Sequence, residues 1–197
     1  MIIFPEKIRG IAQAYLSLLD RWNKIHSFTS LNPDTRFESL LLDSSVLLPH
    51  LISLSPDSRV ADFGSGIGIP AVVIAAYRPD IRVFAIDRNH KKMAFVQQVA
   101  LELNLQNLFA VRGSIDSLAP LNAHFGTAKA VGAISLLLKW WKRHSAPSAP
   151  FFAFRGPDCK LSGITAEWCY EIFPYELPVS GQRSLVRFCL GAKANTE

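Results

Sequence analysis

The sequence predicts an α/β fold: a mostly parallel sheet that ends in an antiparallel C-terminal hairpin and is preceded by helices. Three observations carry this expectation. From residue 59 onward, short apolar runs alternate with amphipathic stretches of helical period, the pattern of βαβ units. Before residue 50 the apolar period is helical. Late in the chain, two strand-like runs lie too close together for a crossover helix, so they pair antiparallel at the sheet edge.

The elements follow in order. Ile8, Ile11, Tyr15, Leu18, Leu19 and Trp22 recur at three- and four-residue steps, and Phe37, Leu40, Leu41, Val46 and Leu47 do so less cleanly, which gives a preface of two or three helices. Strands are expected near Arg59–Phe63, Arg82–Ile86, Leu108–Val111, Lys129–Ala133 and Phe151–Phe154. Helices are expected near Pro70–Tyr77, Asn89–Leu103 and Ser135–Arg143. Cys169–Phe173 and Ser184–Leu190, separated by Pro174, Pro178 and Ser180-Gly181, form the hairpin. The implied organisation is an N-terminal helical extension over 1–55 and one compact sheet domain over 56–197.

With 197 residues, 49% hydrophobic and 19% charged, the chain has the content of one ordinary domain with a small extension. Disorder, collagen and coiled coil are excluded as whole-chain readings. Met1-Ile2-Ile3-Phe4-Pro5-Glu6-Lys7 has no basic segment ahead of a sustained apolar stretch, and no run reaches bilayer length, so a soluble, cytoplasmic chain with no membrane partner is expected. Cys159, Cys169 and Cys189 fit neither a disulfide framework nor a zinc spacing and are expected as buried thiols. The five histidines are scattered, which leaves no obvious metal ligands.

Charge is unevenly placed. Of the net +5, all falls between Lys129 and Lys160, where six basic residues (Lys129, Lys139, Lys142, Arg143, Arg155, Lys160) face one acid, Asp158. With Trp140 and Trp141 in the same stretch, this composition suits a polyanion whose bases stack on aromatics, or equally a surface helix with a solvated basic face.

The densest chemistry is at Val60-Ala61-Asp62-Phe63-Gly64-Ser65-Gly66-Ile67-Gly68-Ile69-Pro70. An apolar strand runs into three alternate glycines and a proline suited to a helix start, so a ligand approaches the main chain at the carboxyl end of this strand. The next strand ends in Asp87, about twenty residues on, where a carboxylate accepts both ribose hydroxyls of an adenosine. A nicotinamide fingerprint needs glycine where Ile69 stands. The spacing fits S-adenosylmethionine better, with a nicotinamide or flavin nucleotide and a purely structural turn as the alternatives. A parallel sheet with this turn and an antiparallel terminal hairpin is the class I, Rossmann-like methyltransferase fold.

Further matches extend this. Trp22-Asn23-Lys24 with Thr29-Ser30, Leu42-Asp43-Ser44, Leu48-Pro49-His50-Leu51, the Asp62 to Pro70 turn, Ile86-Asp87, Lys91-Lys92, Phe95 and Glu102-Leu103-Asn104-Leu105 resemble, in order and spacing, the RsmG (glucose-inhibited division protein B) family of small-subunit rRNA guanine-N7 methyltransferases. Phe154-Arg155-Gly156 resembles the family's Lys-Gly after the fifth strand, and Arg183-Ser184-Leu185-Val186 its basic C-terminal strand. The resemblance implies that Gly64, Ile69, Ile115 and Asp116 surround S-adenosylmethionine. Gly64 to Gly68, including Ser65 and Gly66, then border its methionine part, Asp62 is a further cofactor-binding residue, Asp87 takes the ribose, and Ile115-Asp116 flank the adenine.

The departures from the family are specific. Asp116 replaces a usual glutamate, Ser39-Leu40 an Arg-His pair, Ser27 an asparagine and Ser114 an arginine, while the arginine of Ser-Arg-Ala after the fourth strand falls on Val131. Loss of arginines weakens or redirects phosphate contacts. The resemblance implies an RNA methyltransferase acting on N7 of a guanine in 16S rRNA, with rRNA or the small ribosomal subunit as partner; a monomer is favoured, but the sequence leaves the oligomeric state open. Lys129, Lys139, Lys142, Arg143 and Arg155 would track phosphates, and Phe28 or an exposed tryptophan would hold the base. Guanine N7 has a lone pair and no proton, so no catalytic acid or base is nominated. A non-catalytic RNA- or ribosome-binding protein on the same fold and a nucleotide-dependent oxidoreductase are the competing readings.

Overall fold

The computed structural model describes residues 2–157 and 161–191. A long helix, Arg9–His26, is followed by short helical turns at Pro33–Arg36, Phe37–Leu42, Asp43–Ser45 and Leu48–Leu51, the second of them π-wound. The sheet then forms from β1 (Arg59–Phe63), β2 (Arg82–Asp87), β3 (Leu108–Arg112), β4 (Phe125–Lys129), β5 (Phe151–Arg155), β6 (Trp168–Leu177) and β7 (Gly181–Leu190). Helices Ala71–Tyr77, His90–Glu102 and Ile134–His144 cover its faces. Strand order is β3-β2-β1-β4-β5-β7-β6; β1 to β5 run parallel, and β7 and β6 close the sheet as an antiparallel hairpin. The order reverses between β1 and β4, which places a crevice at the carboxyl ends of those two strands.

The apolar stripe of the first helix explains its position. Ala12, Tyr15, Leu18 and Leu19 are buried and join Val60, Val72, Phe95 and Phe152 in one continuous core on that face of the sheet. Trp141, Phe63, Phe151 and Phe188 centre a second cluster on the other face. After the helix, Asn23 binds both backbone groups of Thr29, donating to its carbonyl at 3.0 Å and accepting from its N–H at 2.9 Å. His50 sits against Phe152 and Phe173, with centroids 4.7 and 4.8 Å away, and so joins the helical preface to the sheet and hairpin.

The fourth strand corrects the sequence expectation. It occupies Phe125–Lys129, four residues earlier than Lys129–Ala133, because Ala130 and Gly132 take left-handed φ values of 57° and 46°. Gly126 masks the strand in the sequence. A Cβ there would lie 2.5 Å from Phe151 and 2.6 Å from the Trp141 ring, so the strand carries glycine where a β-former would be expected. The hairpin strands are also longer than expected, ten residues each. Pro174 is accommodated within β6 because that strand is the sheet edge.

The expectation of buried thiols is overturned for Cys169, which is exposed, and Cys189, which is half-buried. Cys159, Lys160 and Asp158 lie outside the described residues. Among the described residues, no helix is long and apolar enough to cross a membrane, and no group of three or more His, Cys, Asp or Glu side chains is placed to hold a metal ion.

Candidate active site

The turn after β1 is left-handed at Gly64, Gly66 and Gly68, with φ of 66°, 58° and 87°. A side chain at Gly64 would strike Val131 at 2.5 Å. The Gly66 N–H donates to Asp87 Oδ2 at 3.0 Å, and the other Asp87 oxygen accepts from Asn89 N–H at 2.8 Å, so the turn is tied to the end of β2. From the opposite side, the buried Tyr15 hydroxyl donates to the Ile67 carbonyl at 3.0 Å. The first helix therefore braces the turn directly.

Asp62 lies beneath the turn with no exposed surface. Its Oδ2 accepts from Ser65 Oγ at 2.5 Å and from Ala71 N–H at 3.3 Å, while Oδ1 is buried without a hydrogen-bond partner among the described residues. Burial pushes its carboxyl up to about 7, against the opposing pull of those two bonds and of Lys129. Asp62 thus shapes the turn from below and does not face the crevice.

Two cavities meet across Gly64, Gly66, Lys92 and Ala130. One, of about 560 Å³, is bordered by Asp87, Ile115, Asp116, Val131, Leu136 and Trp140. The other, of about 580 Å³, is bordered by Phe28, Asp43, Ile69, Lys129, Arg155 and Arg183, among others. Both are of the size that holds a small ligand. A larger cavity of about 730 Å³ lies at the other end of the strands, around Asp57, Arg82 and Asn107. Ligands of open α/β sheets bind at the carboxyl ends, so the paired cavities are the candidate site.

The wall of the first cavity is held by the helix Ile134–His144. Trp140 Nε1–H donates to Asp116 Oδ1 at 2.6 Å, Arg143 donates to the carbonyls of Asp116 and Leu118 at 2.6 and 3.0 Å, and His144 Nε2 bonds the Ile115 carbonyl at 2.9 Å. Arg143 is thereby engaged with the 115–118 loop.

The second cavity is cationic. Lys129 Nζ pairs with Asp43 at 2.8 Å and donates to the Ser39 carbonyl at 2.5 Å; Tyr175 Oη donates to the other Asp43 oxygen at 2.6 Å. Burial lowers the Lys129 pKa, and the Asp43 charge works against that shift. Besides Lys129, the cations Lys92, Arg155 and Arg183 line this chamber. The Arg183 Nε is buried and has no hydrogen-bond partner among the described residues.

The sequence-derived residues divide accordingly. Gly64 and Gly66 line both cavities; Asp87, Ile115 and Asp116 line the first; Ser65 and Ile69 line the second. Gly68 lines neither and packs under Val72 and Val96. Of the basic residues, Lys129 and Arg155 reach the second cavity, whereas Lys139 and Lys142 lie on the outer side of the helix, Lys142 paired with Glu167 at 2.6 Å. Phe28 lines the second cavity and stacks on Trp22; Trp140 lines the first. Asp43, Tyr175, Lys92 and Arg183 were not singled out as site residues. They converge from four separate elements, and the Leu42-Asp43-Ser44, Lys91-Lys92 and Arg183-Ser184 matches touch three of them without assigning a role.

A family model described as rRNA small subunit methyltransferase G matches residues 9–164. The chain belongs to this family. It is 36% identical over 165 residues to the ribosomal RNA small subunit methyltransferase G of Methylobacillus flagellatus, covering 81% of this chain and 78% of that one. Its identity to the Chromobacterium violaceum protein of the same name is 33% over 189 residues, covering 91% and 88%. Among solved structures, a methyltransferase from Geobacter sulfurreducens superposes with a TM-score of 0.63 at 16% identity, covering 96% of this chain and 92% of that one. A SAM dependent methyltransferase from Aquifex aeolicus gives 0.61 at 15%, covering 87% and 98%. At these identities the structural likeness establishes the fold.

Proposed function

We propose that this chain is an S-adenosylmethionine-dependent methyltransferase acting on N7 of a guanine in small-subunit rRNA. The observation that supports it best is the paired cavity. A carboxylate suited to a ribose, Asp87, stands beside the Gly66 amide on one side of the glycine turn, and a basic chamber opens on the other.

Bound S-adenosylmethionine supplies a methyl group on a positively charged sulfur. The residues present fit that cofactor. Asp87 keeps lone pairs for ribose hydroxyls, Ile115 and Asp116 border the adenine position, and the side-chain-free Gly64 and Gly66 admit the methionine part along the backbone. Asp62, Ser65 and Gly68 hold the turn, and Ile69 closes the far side.

In the second chamber, Phe28 offers a face for the unstacked base, while Arg155 and Arg183 take its phosphates. Lys139 and Lys142 extend the positive surface outward; Lys129 and Arg143 are committed to Asp43 and to the 115–118 loop. Methyl transfer moves a positive charge onto the purine, and Asp43, paired with Lys129 and Tyr175, is a carboxylate of the chamber lining. The nucleophile carries no proton to remove, so rate acceleration comes from alignment and this charge environment. The 1–55 segment acts with the sheet as part of one site, since Phe28, Ser39 and Asp43 line the chamber.

The reading is tested by calorimetric titration of S-adenosylmethionine, with NADH in parallel. Saturable S-adenosylmethionine binding that weakens in Asp87→Ala is expected. Binding of NADH instead, or an affinity indifferent to Asp87→Ala, would overturn it.

A further inference from the structure

Cys169 and Cys189 are separated by twenty residues in sequence, yet the hairpin register places them directly opposite each other on β6 and β7. Directly opposed residues in an antiparallel pair project from the same face of the sheet. The flanking Gly191 N–H to Glu167 carbonyl bond, 2.8 Å long, sets the alternation of the ladder, and it makes the Cys169–Cys189 pair a hydrogen-bonded one. Such pairs have Cα atoms about 5.5 Å apart, within the usual 4.4–6.8 Å span of a disulfide.

Both sulfurs are reachable. Cys169 is exposed and Cys189 half-buried, and neither belongs to the hydrophobic clusters. A small cleft of about 150 Å³ is lined by these two residues with Tyr170, Glu171 and Arg187. Beside it, Gly191 presents no side chain; a Cβ there would only just touch Cys169 Sγ, at 3.5 Å. Among the described residues β6 has a neighbouring strand on one side only, so it can make the small approach that closing an S–S bond across a hydrogen-bonded pair requires.

We propose that Cys169 and Cys189 form a vicinal dithiol that exchanges with small disulfides to give a reversible cross-strand disulfide. The Cys169 thiolate attacks one sulfur of an oxidised low-molecular-weight disulfide and releases one thiolate. Cys189 then attacks the Cys169 sulfur of the mixed disulfide and releases the second. Two protein thiols are oxidised to one disulfide, and the small disulfide is reduced to two thiols. The pair lies at the open end of the hairpin, whereas Tyr175 and Arg183 lie toward its turn, so oxidation ties β6 to β7 at a distance from the basic chamber.

The test uses the full chain with mixtures of reduced and oxidised glutathione, followed by maleimide trapping and mass mapping. Lys160, Arg183 and Arg187 let trypsin place the three cysteines on separate peptides. The expected result is a cross-link between the Cys169 and Cys189 peptides that reverses with dithiothreitol. In Cys189→Ser, Cys169 is expected to remain as a stable glutathione adduct. Independent glutathione adducts on Cys169 and Cys189 of the unmodified chain, or a cross-link running to Cys159, would overturn the proposal. None of these outcomes depends on the methyltransferase reading.

Discussion

Asp43 from the helical preface and Lys129 from the end of β4 meet at 2.8 Å with both side chains largely withdrawn from solvent. This pair joins the N-terminal segment to the sheet at the mouth of the basic chamber, and Tyr175 of the hairpin completes it from a third direction. A buried pair of this kind is costly to break from one side, because the remaining charge is left without compensation. Asp43→Asn should therefore lose about 3 kcal/mol in denaturant unfolding and most of the methyl-transfer rate. Replacing Asp43 and Lys129 together by apolar residues should recover much of the stability and none of the rate. Recovery of both would mean that the pair serves the fold alone.

Glu38 makes a second tie between the same parts. It accepts from the backbone N–H groups of Val179 and Ser180 and from the Ser180 hydroxyl, each at 2.8 Å. Burial pushes its carboxyl up, but those bonds and the field of Arg183 outweigh it and leave the pKa below the usual value. The stability it contributes is present above the unfolded-state pKa and is lost as pH falls through the lower folded value. Glu38→Gln should cost about 1–2 kcal/mol at neutral pH, and the difference from the parent should shrink in acid. A cost that does not vary with pH would contradict a charged Glu38.

Asp62 predicts the opposite sign. Its folded pKa of about 7 lies above the unfolded value, so the native state holds the proton more tightly. Its contribution falls as pH rises from about 4 toward 7, by as much as roughly 4 kcal/mol as an upper bound, and stays low above that. Asp62→Asn keeps an oxygen for Ser65 and Ala71. Relative to the parent, it should become progressively more stable as pH rises through this window. Parallel stability curves for the two proteins would contradict a protonated Asp62.

Gly126→Ala tests the packing that conceals β4. The new methyl would fall 2.5–2.6 Å from the rings of Phe151 and Trp141, both fully buried and without room to give. A loss of about 1–3 kcal/mol is expected from urea unfolding; a neutral substitution would show that the two rings can shift.

The placement of phosphates is tested by salt dependence. Arg183→Ala should weaken RNA binding and reduce the slope of log affinity against log salt by about one phosphate contact. Lys142→Ala, which removes the partner of Glu167 on the outer face, should change the slope less. An equal effect of the two would place the RNA along the helix and not in the chamber.

Much of this arrangement is legible in the sequence because it is local. The glycine turn, the strand-terminal Asp87 and the amphipathic first helix each depend on neighbours within a few residues. What escapes is long-range. Gly126 reads as a strand breaker until Trp141 and Phe151 fill its side-chain space. Arg143 reads as a surface cation until it caps the carbonyls of Asp116 and Leu118. Tyr175 and Arg183 read as hairpin residues until the chain folds back and sets them against Asp43 and the chamber. The exposure of Cys169 likewise follows from the edge position of β6, which no spacing reveals.

The central claim is tested most directly by following labelled methyl from S-adenosylmethionine into small-subunit rRNA, offered both naked and within the assembled subunit, and identifying the modified nucleoside. The account predicts label in N7-methylguanosine, lost in Asp87→Ala. Label in another nucleoside, or no transfer to either substrate from a protein that binds the cofactor, would contradict it.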